Sequence, residues 1–146
     1  MIKNVAVCSR SFSSNKFLTN RLKKNFLDIK LNDKGLKLKG EALVSFLDGY
    51  DATIIGLEKM TKQVLSQLKS LKVISKYGVG IDMIDLNAVR ENNIILKWTP
   101  GTNSRSVSEL VLAMSLNLLR NTFSQNKDII QGEWRQKIGR ELTGLN

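Results

Sequence analysis

At 146 residues, 42% hydrophobic and 25% charged, the chain can bury the core of one domain, or of one domain and a fragment, without disulfide or metal staples. It has no histidine and one cysteine, which excludes histidine-dependent acid–base chemistry within these residues and leaves no zinc-type ligand set. No apolar run reaches the ~18 residues of a membrane span, MIKNVAVCSR has too short an apolar core for a signal peptide, and the lone Cys8 points to a reducing compartment, so the cytoplasm is expected.

The net charge of +10 is uneven: residues 1–40 carry ten Lys or Arg against Asp28 and Asp33, and residues 41–146 carry thirteen against eleven acids. A solvated, lysine-rich helix face explains this better than a nucleic-acid surface. Phe17 and Phe26 are expected on the apolar side of their helix, and no zinc-finger or RNA-recognition signature accompanies the basic residues.

In chain order, Val5–Cys8 reads as a first strand buried on both faces. Residues Asn15–Phe26 place Phe17, Leu18, Leu22 and Phe26 on one side and Lys16, Arg21, Lys23 and Lys24 on the other, an amphipathic helix. Ile29–Leu31 is a weak second strand, Glu41–Leu47 a helix, and Ala52–Ile55 a third strand. Thr61–Leu68 is a short helix, Val73–Ser75 a fourth strand, Leu86–Glu91 a helix that Asp85 can cap, and Ile94–Leu96 a fifth strand. Regular alternation with short connections predicts an α/β fold, a five-stranded parallel sheet with helices on both faces in the flavodoxin-like order 2-1-3-4-5. Ligands of such sheets sit beyond the carboxyl ends of the strands, where loops 9–14, 56–60 and 76–82 would gather.

Pro100-Gly101 breaks this pattern, so residues 1–99 form one expected domain. Ser106-Val107-Ser108-Glu109 has capping-box spacing for a long helix ending at Leu119. Its residues Val107, Leu110, Val111, Leu112, Met114, Leu116, Leu118 and Leu119 cover nearly the whole circumference, which requires cover from another domain or subunit. A second short helix is expected around Ser124–Gln131.

The loop Lys76-Tyr77-Gly78-Val79-Gly80-Ile81-Asp82 follows the fourth strand. Two glycines flanking Val79 let the backbone approach a ligand and turn its N–H groups outward, and with Lys76 alongside this is a candidate anion seat. A dinucleotide fingerprint fails, because Met83 stands where the third glycine belongs. A phosphate-accepting receiver domain also fails, since Ser9-Arg10 and Gly56-Leu57 occupy the places its acids require.

The segment LKVISKYGVGIDMIDLNAVRENNIILKWTPGTNSRSVSELVLAMSLNLLRN closely resembles the NAD-dependent D-2-hydroxyacid dehydrogenases, the phosphoglycerate-dehydrogenase-like group in particular. The shared features are a (K/R)xGVGxDxxD loop, a TPG hinge and an NxxSVxEL helix start. The stretch DATIIGLEKMTKQVL is similar to the family's third strand and following helix. Gly132-Glu133-Trp134 and Leu142-Thr143-Gly144 are similar to its approach to the cofactor domain.

The resemblance implies that the N–H groups of Val79 and Gly80 hold a substrate carboxylate, that Asn103 approaches the substrate, and that Val107 packs near the nicotinamide. It implies NAD as cofactor, residues 100–146 as the hinge and first helices of a truncated NAD-binding domain, a small 2-hydroxy or 2-oxo acid as substrate, and a homodimer through Ser104–Leu119. The family's GxGxxG loop and catalytic Arg, Glu and His fall outside this sequence, so the expected reading is the N-terminal, substrate-binding part of such an oxidoreductase, inactive alone. Two positions depart from the family: Met83 replaces an asparagine, and Leu57-Glu58-Lys59-Met60 replaces a loop that carries arginine in phosphoglycerate-specific members, leaving only Lys59 for a phosphate. The alternative reading is a non-catalytic module for small-carboxylate binding or dimerisation.

Overall fold

A computed structural model of the protein describes residues 2–145. The chain forms two compact units, residues 1–100 and 101–146.

In the first unit, β1 (Asn4–Val7), β2 (Asp28–Leu31), β3 (Ala52–Ile55), β4 (Val73–Lys76) and β5 (Ile95–Lys97) pair in parallel in the order β2-β1-β3-β4-β5, as the alternation predicts. Helices α1 (Arg10–Ser13) and α2 (Lys16–Lys23) join β1 to β2. Then α3 (Glu41–Leu47), α4 (Lys62–Leu65) and α5 (Leu86–Glu91) make the remaining crossovers, with α3 packed on α4 and α4 on α5. The winding direction reverses after β2, so right-handed crossovers put α1 and α2 on one face and α3–α5 on the other.

Strand β1 is apolar without alternation because both faces are covered: Val5, Ala6 and Val7 are all buried. One core cluster joins Ala6 and Cys8 to Leu43, Leu47, Ile55, Met60, Leu65 and Ile74. Side-chain caps begin several of these helices. Asn15 accepts the Leu18 N–H, Thr61 the Val64 N–H and Asp85 the Ala88 N–H.

The amphipathic stripe differs from the expectation by one residue. Leu18, Leu22 and Phe26 are half-buried at i, i+4, i+8, while Phe17, about 100° away around the helix, is 68% exposed beneath the Arg21 guanidinium. Thr19 is buried instead, its hydroxyl donating to the Asn15 and Lys16 carbonyls.

At the amino ends of the strands, Asp51 ties three segments together. Its carboxylate accepts the Lys3 N–H at 3.1 Å and the Lys72 ammonium at 2.6 Å, and its own N–H donates to Asn4 Oδ1 at 2.8 Å.

The second unit contains α6 (Ser104–Leu119) and α7 (Thr122–Ile130), joined through Asn121 in a left-handed conformation (φ 55°). The capping box does not form. The helix spans Ser104–Leu119 as expected and so starts three residues ahead of the point such a box would set, after Asn103, which makes no side-chain cap bond, and Glu109 turns to Arg105 at 3.4 Å. No residue of α6 is buried. The final segment returns to the α6–α7 corner: Arg140 N–H donates to the Leu119 carbonyl at 2.9 Å and Lys137 pairs with Asp128 at 2.6 Å. Gly139 is required there, since a Cβ would stand 2.4 Å from the Leu119 carbonyl oxygen.

The Lys72 ammonium, foremost, and the Lys3 N–H hold the Asp51 carboxyl below the usual range. A carboxyl whose pKa is lowered by folding adds stability above its unfolded value, and that contribution disappears as pH falls through the lowered folded value. Asp51→Asn is therefore expected to lower the urea midpoint at pH 7 and to change it little at the acid end of the titration. Equal losses at both pH values would contradict this role.

Candidate functional site

Strand order reverses between β1 and β3, and the crevice of a doubly wound sheet opens beyond the carboxyl ends of the strands at that point. A cavity of about 250 Å³ lies there, lined by Ser9, Arg10 and Ser11 after β1 and by Gly56, Leu57 and Glu58 after β3. A second hollow of about 160 Å³ shares Arg10, Leu57 and Glu58 and adds Lys37 and Lys39.

The walls are held by specific bonds. The Ser9 hydroxyl accepts the Phe12 N–H at 3.3 Å, which starts α1. The Glu58 carboxylate folds back to accept the Gly56 N–H at 2.6 Å. Buried Asn32 donates to the Cys8 and Leu36 carbonyls, both at 2.9 Å, and accepts the Leu36 N–H at 2.8 Å, so the turn after β2 is fastened to the end of β1.

The glycine loop adjoins this crevice. The β3–β4 ladder pairs Ile55 with Lys76 and continues one step further, with the Tyr77 N–H donating to the Ile55 carbonyl at 2.8 Å. The Tyr77 ring then meets Phe12 edge-on, ring centroids 5.3 Å apart, which brings the loops after β1 and β4 together.

Beyond Tyr77 the backbone leaves the sheet. Gly78 adopts φ 126°, a conformation that disfavours any side chain. Among the described residues, the N–H groups of Gly78, Val79, Gly80 and Ile81 donate no hydrogen bond. The unpaired run continues through Asp82 and Met83, and consecutive free amides on a partly exposed turn are donors of the kind that bind anions.

Two carbonyls of this turn are engaged by side chains. Lys76 Nζ donates to the Tyr77 oxygen at 3.3 Å, and the Trp98 indole donates to the Val79 oxygen at 2.7 Å. Opposite charges flank the loop. The Lys76 ammonium stands 3.0 Å from where a Cβ on Gly78 would lie, and a carboxylate oxygen of Asp82 stands 3.0 Å from the equivalent point on Gly80.

Met83 packs its half-buried side chain against the core, while its carbonyl accepts the Met60 N–H at 3.0 Å. With Asp85 N–H on the Met60 carbonyl at 2.9 Å, this anchors the far end of the loop through backbone alone.

Of the sequence-expected residues, Lys76, Val79 and Gly80 lie together on this loop. Asn103 and Val107 belong to the second unit, at the start of α6. Lys59 is exposed. Sequence reading pointed to the loops after β1 and β3 but not to Ser9, Arg10, Ser11 and Glu58 as cavity walls; the place where the strand order reverses was the available signal. Cys8, beneath this rim, is no nucleophile. Burial, partly opposed by the Thr53 hydroxyl, pushes its thiol up to about 12. Among the described residues there is no cluster of metal ligands.

The parallel sheet and its switch-point crevice define an α/β unit of the doubly wound class. The chain belongs to the D-isomer specific 2-hydroxyacid dehydrogenases, whose catalytic-domain model matches residues 5–140. It is 29% identical over 126 residues to the D-3-phosphoglycerate dehydrogenase of Archaeoglobus fulgidus, covering 84% of this chain and 23% of that protein. It is 29% identical over 110 residues to the hydroxypyruvate reductase of Thermotoga maritima, covering 73% and 36% respectively. A crystal structure from Polaromonas sp. JS6 66, assigned to the same dehydrogenases and described as NAD-binding, superposes with a TM-score of 0.80 at 26% identity, over 99% of this chain and 46% of that one. The chain thus spans less than half the length of each of these relatives.

Proposed function

We propose that this chain is the substrate-binding portion of an NAD-dependent D-2-hydroxyacid dehydrogenase and that the loop after β4 seats the carboxylate of a small 2-hydroxy or 2-oxo acid. The observation that carries this reading is the run of unpaired amides from Gly78 to Ile81. Val79 and Gly80 provide the donors and Lys76 adds positive charge.

A carboxylate fits such a turn because its two oxygens accept diverging N–H groups without a buried counter-charge. The substituent on C3 would extend toward the Ser9–Gly56 cavity, one to two strand spacings (~5–10 Å) away. Hydroxyls of Ser9 and Ser11 suit a polar substituent there. A phosphoglycerate-like substrate would find Arg10, Lys37 and the exposed Lys59 as its cations.

NAD supplies hydride exchange in such an enzyme. Val107, 48% exposed on α6, offers an apolar surface suited to a nicotinamide ring, and the residues here include no GxGxxG run to cradle its phosphates. The role of this chain's own residues is to bind and orient the acid. A preparation of the chain is expected to oxidise no NADH with pyruvate, glyoxylate or hydroxypyruvate, yet to bind glyoxylate in calorimetry with roughly millimolar affinity. Turnover in a contaminant-free sample would contradict the division of labour, and absence of any binding would contradict the seat.

The same reading assigns α6 as a homodimer surface. Val107, Leu110, Val111, Leu112, Met114, Leu116 and Leu118 are each 46–77% exposed, more apolar surface than a lone helix keeps in water. Sedimentation equilibrium is expected to give a dimer that Leu112→Glu converts to monomer. A wild-type monomer at ~100 µM, where a standard-size interface would be occupied, would refute it.

A further inference from the structure

We propose that Trp98 is a positioning residue that sets the direction of the Gly80 N–H, and so decides whether the glycine loop can receive a carboxylate. The inference rests on the carboxylate-seat reading above and adds a residue to it.

The argument begins with the peptide unit. A trans peptide is planar, so the carbonyl of Val79 and the N–H of Gly80, which share one unit, point in opposite directions. Fixing one fixes the other. The Trp98 indole N–H reaches the Val79 carbonyl from 19 residues further along the chain, at 2.7 Å. That is the short end of an N–H···O hydrogen bond.

Without this bond the Val79–Gly80 unit has little to hold it. Glycine follows it directly, so of the two torsions about which the unit turns, φ of Gly80 is unrestricted and only ψ of Val79 resists, with a second glycine, at φ 126°, on the other side of Val79. No other described group donates to the Val79 carbonyl. A half-turn of the unit would aim a carbonyl oxygen at the anion's place, replacing an attractive dipole with a repulsive one. The neighbouring Tyr77–Gly78 unit is held in the same manner, its carbonyl accepting from Lys76 Nζ at 3.3 Å. Two side-chain donors thus restrain alternate carbonyls and leave the intervening amides to the ligand.

Trp98 is suited to this task. It follows β5 directly, at the edge of the sheet, and although 39% of it is exposed its one polar atom donates to the loop. Indole is a donor only and has no competing acceptor role. A donor on the carbonyl also polarises the peptide unit, which strengthens the opposite N–H toward an anion.

The test uses the 146-residue chain, D-lactate as probe, and ¹⁵N-resolved NMR. Trp98→Phe keeps a ring and removes the N–H. The expected results are a shift of the Gly80 amide resonance in the free protein, with Gly78 nearly unmoved, and D-lactate binding weakened by roughly 3- to 10-fold at a temperature where both proteins are fully folded. A purely structural role would lower the melting midpoint but leave the Gly80 resonance and the affinity of the folded protein in place, and that result overturns the proposal. If the variant does not fold, the through-hydrogen-bond coupling between Trp98 ¹⁵Nε1 and Val79 ¹³C′ in the wild type decides the matter: present supports it, absent overturns it. Failure of the wild type to bind D-lactate would count against the carboxylate seat, while the Gly80 resonance of the variant still judges the orienting role of Trp98.

Discussion

The parallel ladder between β3 and β4 is the constraint from which the site follows. Its register carries Ile55 opposite Lys76 and ends with the Tyr77 N–H on the Ile55 carbonyl, so the chain must leave the sheet at Gly78. The residues that follow have no strand partner for their amides. A parallel sheet buries both faces and cannot tolerate unpaired donors within it, but at its carboxyl edge they remain available to a ligand. The reversal of strand order next to β3 then opens the crevice beside those amides.

The two ends of the sheet have different bonding patterns. At the amino end, Asp51 draws the beginnings of β1, β3 and β4 together with charge-assisted bonds. At the carboxyl end, Asn32 and the Met60–Met83 exchange of backbone bonds brace the loops around the opening without filling it. Bonds that close one edge and brace the other leave a rigid frame around an open donor surface, the arrangement a binding site requires.

The architecture was legible because periodicity is a long-range property of the sequence: five apolar strands alternating with amphipathic helices admit few parallel topologies. The glycine turn after β4 was legible because glycines are informative only in context, and here they follow a strand. What escaped the sequence lies below that scale. The four-residue α1 is too short to show a helical period. Phe17 is one residue out of the Leu18–Leu22–Phe26 stripe, and a composition-based face includes it. Ser106–Glu109 matched the spacing of a cap but falls inside a helix that had already begun. The bond from Trp98 to Val79 joins the ends of two strands, and no local pattern announces a contact of that kind.

The central claim is that the amides from Gly78 to Ile81 receive a carboxylate, and one NMR titration tests it most directly. Adding glyoxylate to the ¹⁵N-labelled chain should move the resonances of Gly78, Val79, Gly80 and Ile81 downfield together, along one saturating curve, while amides at the opposite edge near Asp51 stay in place. Shifts spread over the basic residues of the first forty positions, with the loop unmoved, would show the anion held by general charge and would contradict the account.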